Sequence, residues 1–156
     1  MANDLAARFR EYADAFERSY ADGRWARVAA YFSADAVYEC VAPESLAFRV
    51  VGRAAILERF ATVCDAFDRR FDSRSMQIDE LRVDAERVSV RGVVIYTLCD
   101  APPLCLPFTE TAEYRGEQII RLEDGADAAD VVAIATWMAQ YGQRLGAPDR
   151  EPEGDH

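Results

Sequence analysis

The chain has 156 residues, of which 51% are hydrophobic and 11% aromatic, and its formal net charge is −10. A length of roughly 100–200 residues is typical of one domain, and this composition indicates a packed globular core. Proteins that bind nucleic acid or anionic membranes need a basic surface, so the acidic balance argues against both partners. We therefore expect one domain over residues 1–145, followed by a disordered tail over 146–156.

The first residues contain no basic segment followed by an apolar run, and no stretch reaches the roughly 18 apolar residues that span a bilayer. We therefore expect a cytoplasmic protein in which the four cysteines are reduced thiols. Their spacing fits no zinc site and the single histidine is His156, so no metal is expected. The cysteines are interpreted as small buried side chains, with a redox pair of Cys99 and Cys105 as the alternative.

The N-terminal half predicts helices and two short strands. Apolar residues three and four apart indicate a helix from about 4 to 21, and a short second helix follows between Trp25 and Phe32. Alternation predicts strands over 36–41 and 48–51. A third helix then begins after Gly52, since apolar residues again recur at helical spacing.

Beyond residue 74 the hydrophobic period changes to two. This predicts an antiparallel meander of four strands, over 76–83, 88–99, 105–114 and 118–122. A last helix over 128–143 is predicted to bury Val131, Val132, Ala135 and Met138. Helices followed by a meander indicate an α+β fold, in which a curved antiparallel sheet forms a cone with the N-terminal helices packed inside it, plus a C-terminal helix. The cone interior is the expected site for a small apolar ligand.

Three segments carry a family resemblance: Phe32–Glu39 at the first strand, Val51–Ile56 at the start of the third helix, and Gln118–Asp124 on the final strand. In this order and spacing they resemble the nuclear transport factor 2-like superfamily, and within it the SnoaL-like, polyketide cyclase-like branch. The resemblance extends from about residue 5 to residue 143. It implies the cone-shaped, cystatin-like α+β fold, but this superfamily includes isomerases, dehydratases, epoxide hydrolases, cyclases and binding proteins, so the activity stays open.

The resemblance implies roles for single positions. The acid–base residue of SnoaL-like cyclases aligns with Asp124. Limonene-epoxide-hydrolase-like members have a Tyr that matches Tyr38, but their Asn is replaced by Cys40 and their Arg-x-Asp motif has no counterpart. Ketosteroid-isomerase-like members have their general base at Cys40 and an oxyanion Tyr at Phe16, while their second acid aligns with Glu110. These substitutions argue against epoxide hydrolysis and against that type of isomerisation.

Strand alternation places Glu110 on the same face as Leu106 and Phe108, where a charge is costly unless it is paired or protonated. We expect Glu110 either to pair with a cation such as Arg91 or to remain a neutral acid. Gly92 interrupts the long apolar strand and predicts a bend of the sheet.

Asp124 is interpreted either as an acid–base group at the cone wall or, like Asp127, as a cap of the last helix. Tyr38 and Cys40 share one face of the first strand. Tyr38 is either a hydrogen-bond donor to a developing oxyanion or a core aromatic. Without a histidine to form a thiolate, Cys40 is interpreted as an inert thiol.

Together these patterns predict a protein that binds a small hydrophobic molecule in an apolar cone pocket. The candidate catalytic residues are Asp124, Tyr38 and Glu110, and the residues expected to contact the ligand are Cys40, Tyr96, Trp25, Phe60 and Phe108. As an enzyme it would be an isomerase, cyclase or dehydratase that uses acid–base chemistry without a cofactor. The alternative is a non-catalytic ligand-binding or dimerisation module of the same fold. A homodimer is expected through the outer sheet face, to which the pattern assigns Val88, Val90, Thr109 and Thr111.

Overall fold

A computed structural model describes residues 2–43 and 46–146 of the chain. The helices are α1 (Ala2–Asp22), α2 (Arg53–Ala66) and α3 (Ala128–Tyr141), and a 3₁₀ helix at Trp25–Tyr31 takes the place of the predicted second helix. The strands are β1 (Phe32–Val41), β2 (Phe48–Val51), β3 (Ser73–Asp84), β4 (Arg87–Thr97), β5 (Leu104–Arg115) and β6 (Gln118–Gly125). The predicted tail lies outside the described residues from 147 onward, and the extent of the domain over 1–145 stays a prediction.

The six strands form one open, curved sheet in the order β2-β1-β6-β5-β4-β3. All neighbours are antiparallel except β1 and β6, which run parallel. The predicted α+β fold and the meander of β3 to β6 are confirmed, although the sheet is mixed rather than wholly antiparallel. The meander brings β6 back beside β1 in the same direction, so this parallel pair joins β1 and β2 to the meander.

Helix α1 packs its apolar stripe against the concave face of the sheet. Phe9 and Tyr12 are almost fully buried there, together with the first residues of β1. The helix ends where Gly23 adopts a φ of +74°, and the Gly23 N–H donates to the Ser19 carbonyl at 2.8 Å. Glycine adopts a positive φ of this kind at the least steric cost, so a single local residue is enough to end the helix.

The sheet bends at the position that Gly92 predicts. The register between β3 and β4 shifts between Ile78 and Glu80, directly opposite Gly92 and Arg91. A bulge adds a residue to one strand and increases its bend and twist. The bend curves β3 and β4 over α1 and creates room inside the cone.

The prediction that Val88 and Val90 lie on the outer face of β4 is wrong. Val88 and Val90 are buried, because they are the ladder partners of Ala112 and Glu110 on β5 and cross-strand partners share a face. The alternate residues of β4 form the outer face: Ser89, Arg91, Val93 and Ile95. Dimerisation through the outer sheet face stays a prediction.

The predicted inward face of α3 is wrong for two of its four residues: Met138 packs against the cluster around Trp137 and Val131 is half-buried, but the other two face outward. Val132 is 63% exposed and Ala135 is exposed, whereas Trp137 is the buried residue of this helix. The indole N–H of Trp137 donates to the Pro102 carbonyl at 2.9 Å. Apolar residues surround most of α3, so periodicity alone does not select the face that docks.

All four cysteines are free thiols. Cys64 is buried and Cys40 is half-buried, but Cys99 and Cys105 are exposed, so the prediction of small buried side chains is wrong for the last two. Among the described residues, no helix is long and apolar enough to cross a membrane.

Candidate functional site

A cavity of about 260 Å³ lies between α1 and the concave face of the sheet. Most of its wall is aromatic or aliphatic, and the larger contributors are Tyr12, Phe16, Phe60, Met76, Val94, Tyr96, Leu106 and Phe108. A few polar side chains interrupt this wall: Tyr38, Cys40, Arg74, Glu110, Asp124 and Asp130. An apolar wall with a few converging polar groups is the usual character of a small-molecule site.

Four of the five predicted ligand contacts line this cavity, namely Cys40, Phe60, Tyr96 and Phe108. Trp25 does not. Its ring packs behind the wall against Phe16 and Phe60, with ring centroids 5.1 and 5.7 Å apart. Trp25, in the 3₁₀ helix, therefore supports the cavity wall from behind these two rings.

Strand pairing brings the three candidate catalytic residues together. Glu110 on β5 is the direct ladder partner of Asp124 on β6, and Asp124 is in register with Cys40 on β1. Tyr38 lies two residues before Cys40 on the same strand face, and its hydroxyl donates to Asp124 Oδ2 at 2.6 Å. All four side chains line the cavity.

The residue that caps the N-terminus of α3 is Asp127 and not Asp124, so the alternative interpretation of Asp124 as a helix cap is wrong. Its side chain accepts from the Asp130 N–H at 3.0 Å, and the Asp130 carboxylate accepts from the Asp127 N–H at 3.0 Å. This reciprocal capping box satisfies the first turn of α3. Asp124 lies inside β6, which runs on to Gly125, and its carboxylate faces the cavity.

Burial raises the pKa of Glu110 well above its usual range, and repulsion by Asp124 and a hydrogen bond to it raise that pKa further. Burial also raises the pKa of Asp124, whereas hydrogen bonds from Glu110 and Tyr38 lower it. Asp124 is therefore the group of this pair that ionises first, and Glu110, its ladder partner, is the group that keeps its proton to higher pH. Arg91 is exposed on the outer face, so the predicted ion pair with Glu110 is wrong.

The carboxyl pair of Glu110 and Asp124 has a cost in stability at neutral pH. Because folding raises the pKa of both groups, the folded state binds more protons than the unfolded state. Their contribution to stability is fully present below the unfolded pKa values, about 4.3 for Glu110 and about 3.9 for Asp124, and is lost as the pH rises through the folded pKa values. A pair that destabilises the fold at neutral pH is typical of a functional site.

Two phenols accompany the carboxyl pair. Burial raises the pKa of Tyr38 well above its usual value, and the nearby Asp124 charge adds to this, so Tyr38 is a neutral donor. Burial and the charges of Glu110 and Asp124 raise the pKa of Tyr12 in the same way. The sequence pattern did not distinguish Tyr12 as a site residue, because a phenol on an apolar helical stripe has the same pattern as a core aromatic.

The other end of the cavity carries a buried ionic network that the sequence analysis missed. Arg74 Nη1 donates to both carboxylate oxygens of Glu17, at 2.9 and 2.8 Å, and its Nε lies 3.3 Å from Asp68 Oδ2. The Tyr96 hydroxyl donates to Asp68 Oδ1 at 3.0 Å. Arg74 and Met76 are two residues apart on β3, so their side chains share its inner face. The rule that identified Glu110, a charged residue on an apolar strand face, therefore also applies to Arg74.

The comparisons with known proteins agree with this fold. A family model described as a SnoaL-like domain matches residues 9–142. A search of curated protein sequences finds no match. The solved structures below share less than 25% identity with the chain and therefore show the fold alone.

One similar structure is a hypothetical protein from Catenulispora acidiphila with a ketosteroid isomerase-like fold, in complex with trimethylamine. It has a TM-score of 0.60 and 20% identity, over 91% of this chain and 98% of that one. TerC co-crystallised with polyporic acid has a TM-score of 0.60 and 22% identity, over 83% and 96%. An epoxide hydrolase from M. tuberculosis, of the limonene-epoxide-hydrolase-like type, has a TM-score of 0.61 and 15% identity, over 85% and 93%. The family match spans most of the sequence, and the chain belongs to the SnoaL-like domain family.

Proposed function

We propose that the protein binds a small apolar molecule in this cavity and moves a proton on it without a cofactor, as an isomerase, cyclase or dehydratase. The observation that carries the proposal is the contact of Asp124 with both Tyr38 and Glu110 at an apolar cavity wall. Binding alone does not need two adjacent carboxyl groups at a half-buried apolar wall, since their partial loss of solvent is costly. The cost favours an acid–base role over a module that only binds.

The arrangement supplies both halves of a proton transfer. The ionised Asp124 takes a proton from a carbon or oxygen atom of the bound molecule, and the negative charge that develops is delocalised over the substrate. The neutral phenol of Tyr12 lines the same cavity as the carboxyl pair and is available as a hydrogen-bond donor, while Tyr38 holds the Asp124 carboxylate in place. The proton then returns to a different atom of the substrate, which restores the pair.

Two of the similar structures support a small-molecule ligand. The protein from Catenulispora acidiphila holds trimethylamine, and TerC was crystallised with polyporic acid. Small organic molecules therefore bind to proteins of this fold. Their chemistry differs, so the pattern of polar groups in this cavity is the better guide to the substrate.

Hydrogen exchange on a model ketone tests the proposal without knowledge of the natural substrate. A panel of one- and two-ring ketones, including 1-tetralone, is incubated with the protein in D₂O, and loss of the proton next to the carbonyl is followed by NMR. We expect at least one ketone to exchange on the order of 10²-fold faster than in buffer, as positioned acid–base groups provide. A panel that neither binds nor exchanges would contradict the proposal.

A further inference from the structure

Two cavities meet where strand β6 ends. The candidate cavity of about 260 Å³ and a second cavity of about 630 Å³ have five wall residues in common: Pro107, Phe108, Gly125, Ala126 and Asp130. The second cavity is also lined by Arg91 and Thr109, which are exposed on the outer face of the sheet, and we call it the outer cavity. The shared residues therefore mark the place where the interior of the cone adjoins its surface.

The strand pairing explains why the wall is open there. The ladder between β5 and β6 ends at the pair of Thr109 and Gly125, after which the chain leaves the sheet for α3. Residues 104–108 of β5 have no partner strand on that side among the described residues. Pro107 lies in this stretch, and proline, which has no N–H, is tolerated where a strand has a free edge. The end of β6, the free edge of β5 and the first turn of α3 thus frame a window in the sheet.

Phe108 is the largest side chain at this window. It is half-buried, and its ring packs on Gly92, its ladder partner on β4, where an added Cβ would lie 2.8 Å from the ring. Within the described part of the chain, Phe108 makes no contact with another aromatic ring. Five other aromatic residues of the candidate cavity each pack against at least one ring: Tyr12, Phe16, Tyr38, Phe60 and Tyr96. Rotation of the Phe108 ring therefore breaks fewer aromatic contacts than rotation of any of these five.

Carboxylates surround the outer side of the window. Asp79, Glu80, Asp127 and Asp130 line the outer cavity, and Arg91 is the one basic residue among its described wall residues. Asp79 and Asp127 do not line the candidate cavity. They therefore act on the charge of a ligand that crosses the outer cavity without touching a ligand bound inside. A rim of one charge sign attracts ligands of the opposite sign and raises their association rate.

We propose that this window is the entrance of the candidate cavity, that Phe108 is its gate, and that the acidic rim speeds the entry of cations. The inference rests on the proposed function, because it requires a small molecule inside the cavity. It adds the route by which that molecule enters and leaves.

Fluorine NMR tests the entrance with 6-fluoro-1-tetralone, since exchange between the free and bound signals gives both rate constants. Phe108→Ala should open the window and raise the association rate constant about 10-fold, whereas loss of a simple wall contact changes mainly dissociation. Ala126→Phe should narrow the window and lower both rate constants about 10-fold, which leaves the affinity nearly unchanged. An unchanged association rate constant in Phe108→Ala would overturn the gate, and one in Ala126→Phe would overturn the entrance.

The matched control for Ala126→Phe is Ala139→Phe. Ala139 is exposed on α3 and lines neither cavity, so both rate constants should stay within about twofold of wild type. Equal effects of the two substitutions would overturn the inference. Circular dichroism verifies the fold of each variant. If Ala126→Phe does not fold, Ala126→Leu makes a smaller change at the same position, and it too should lower both rate constants.

The acidic rim provides a test that leaves the window itself intact. Asp79→Asn with Asp127→Asn removes two charges of the outer cavity, and asparagine still caps α3. At low ionic strength the cation of 6-fluoro-1-aminotetralin should associate with this variant roughly threefold more slowly than with wild type, and salt should remove the difference. The neutral ketone should be unaffected. Asp84→Asn with Glu86→Gln removes two exposed carboxylates at the β3–β4 turn and is the control. Equal rates of amine entry in both double variants would overturn the role of the rim, as would an amine that does not bind to the wild-type protein.

Failure of the entrance and failure of the proposed function give different results. If 6-fluoro-1-tetralone and the rest of the ketone panel do not bind to the wild-type protein, the proposed function is wrong and the inference falls with it. If the ketone binds and exchanges its proton, but its association rate does not depend on Phe108 or Ala126, only the inference is wrong.

Discussion

Replacement of Asp124 by Asn is expected to abolish proton exchange on the bound ketone while the fold and ligand binding survive. Asn has the same shape, and its amide oxygen still accepts the hydrogen bond that Tyr38 donates to Asp124 Oδ2. An amide does not accept a proton at neutral pH, so the base is lost. Positioned acid–base groups contribute typically 10² to 10⁴ in rate, and we expect a loss of at least about 10²-fold in the D₂O assay.

The control for this variant lies one residue earlier on the same strand. Glu123 faces the outer side and accepts a hydrogen bond from Arg121 at 2.9 Å, so Glu123→Gln should leave exchange within about twofold of wild type. Full exchange activity in Asp124→Asn would contradict the proposed mechanism. Loss of ketone binding in that variant, measured by calorimetry, would assign Asp124 to binding and not to proton transfer.

Gly92→Ala is expected to destabilise the protein more than most single substitutions on its surface or in its strands. A Cβ at this position would overlap the backbone oxygen of Gln77, on β3 beside the bulge, and would lie 2.8 Å from the ring of Phe108. The backbone of a paired strand cannot shift without breaking ladder hydrogen bonds. We therefore expect the free energy of unfolding to fall by about 3 kcal/mol, the upper end of the range for substitutions that overpack a core. Urea unfolding measures this loss as a lower midpoint with an unchanged slope.

Gly142→Ala is the matched control for Gly92→Ala. There the added Cβ meets only the flexible side chain of Met138, at 3.2 Å or more, so we expect a change below about 1 kcal/mol. The two variants should also differ in ligand binding. Phe108 lines the candidate cavity of about 260 Å³ and an adjoining cavity of about 630 Å³, so its displacement in Gly92→Ala would weaken affinity for the ketones of the proposed function. Equal unfolding midpoints for the two variants would contradict this role of Gly92.

The sequence predicted the positions of the helices and strands better than it predicted which strands pair with each other in the sheet. Alternation located the four strands of the meander, because each hydrogen-bonded hairpin keeps its pattern within a short stretch. It gave no sign that β1 lies parallel to β6, since these strands are about 80 residues apart and their pairing depends on the whole sheet. The inner position of Val88 and Val90 was missed for a related reason. Apolar residues occupy both faces of β4, and only the pairing of Val90 with Glu110 settles which face is inside.

The candidate site was predictable residue by residue but not as a geometry. Glu110 was recognisable as an acid on an apolar strand face, and Asp124 and Tyr38 were indicated by the family resemblance. Their convergence depends on the register of β5, β6 and β1, which no local pattern contains. Arg74 is, like Glu110, a charged residue on an apolar strand face. It was missed because it is the second residue of β3, where the two-residue hydrophobic period of the strands has only just begun.

The most direct measurement is a carbon-13 NMR titration of the side-chain carboxyl groups of Glu110 and Asp124, assigned with Glu110→Gln and Asp124→Asn. If the two groups share a proton, they titrate in two linked steps, and Glu110 shows the chemical shift of a neutral acid at pH 7. Its titration then lies well above the ordinary glutamate pKa of about 4.3, as burial and the Asp124 charge require. Two independent titrations near pH 4 would show two separate carboxylates at neutral pH, and would contradict the acid–base pair on which the proposed function depends.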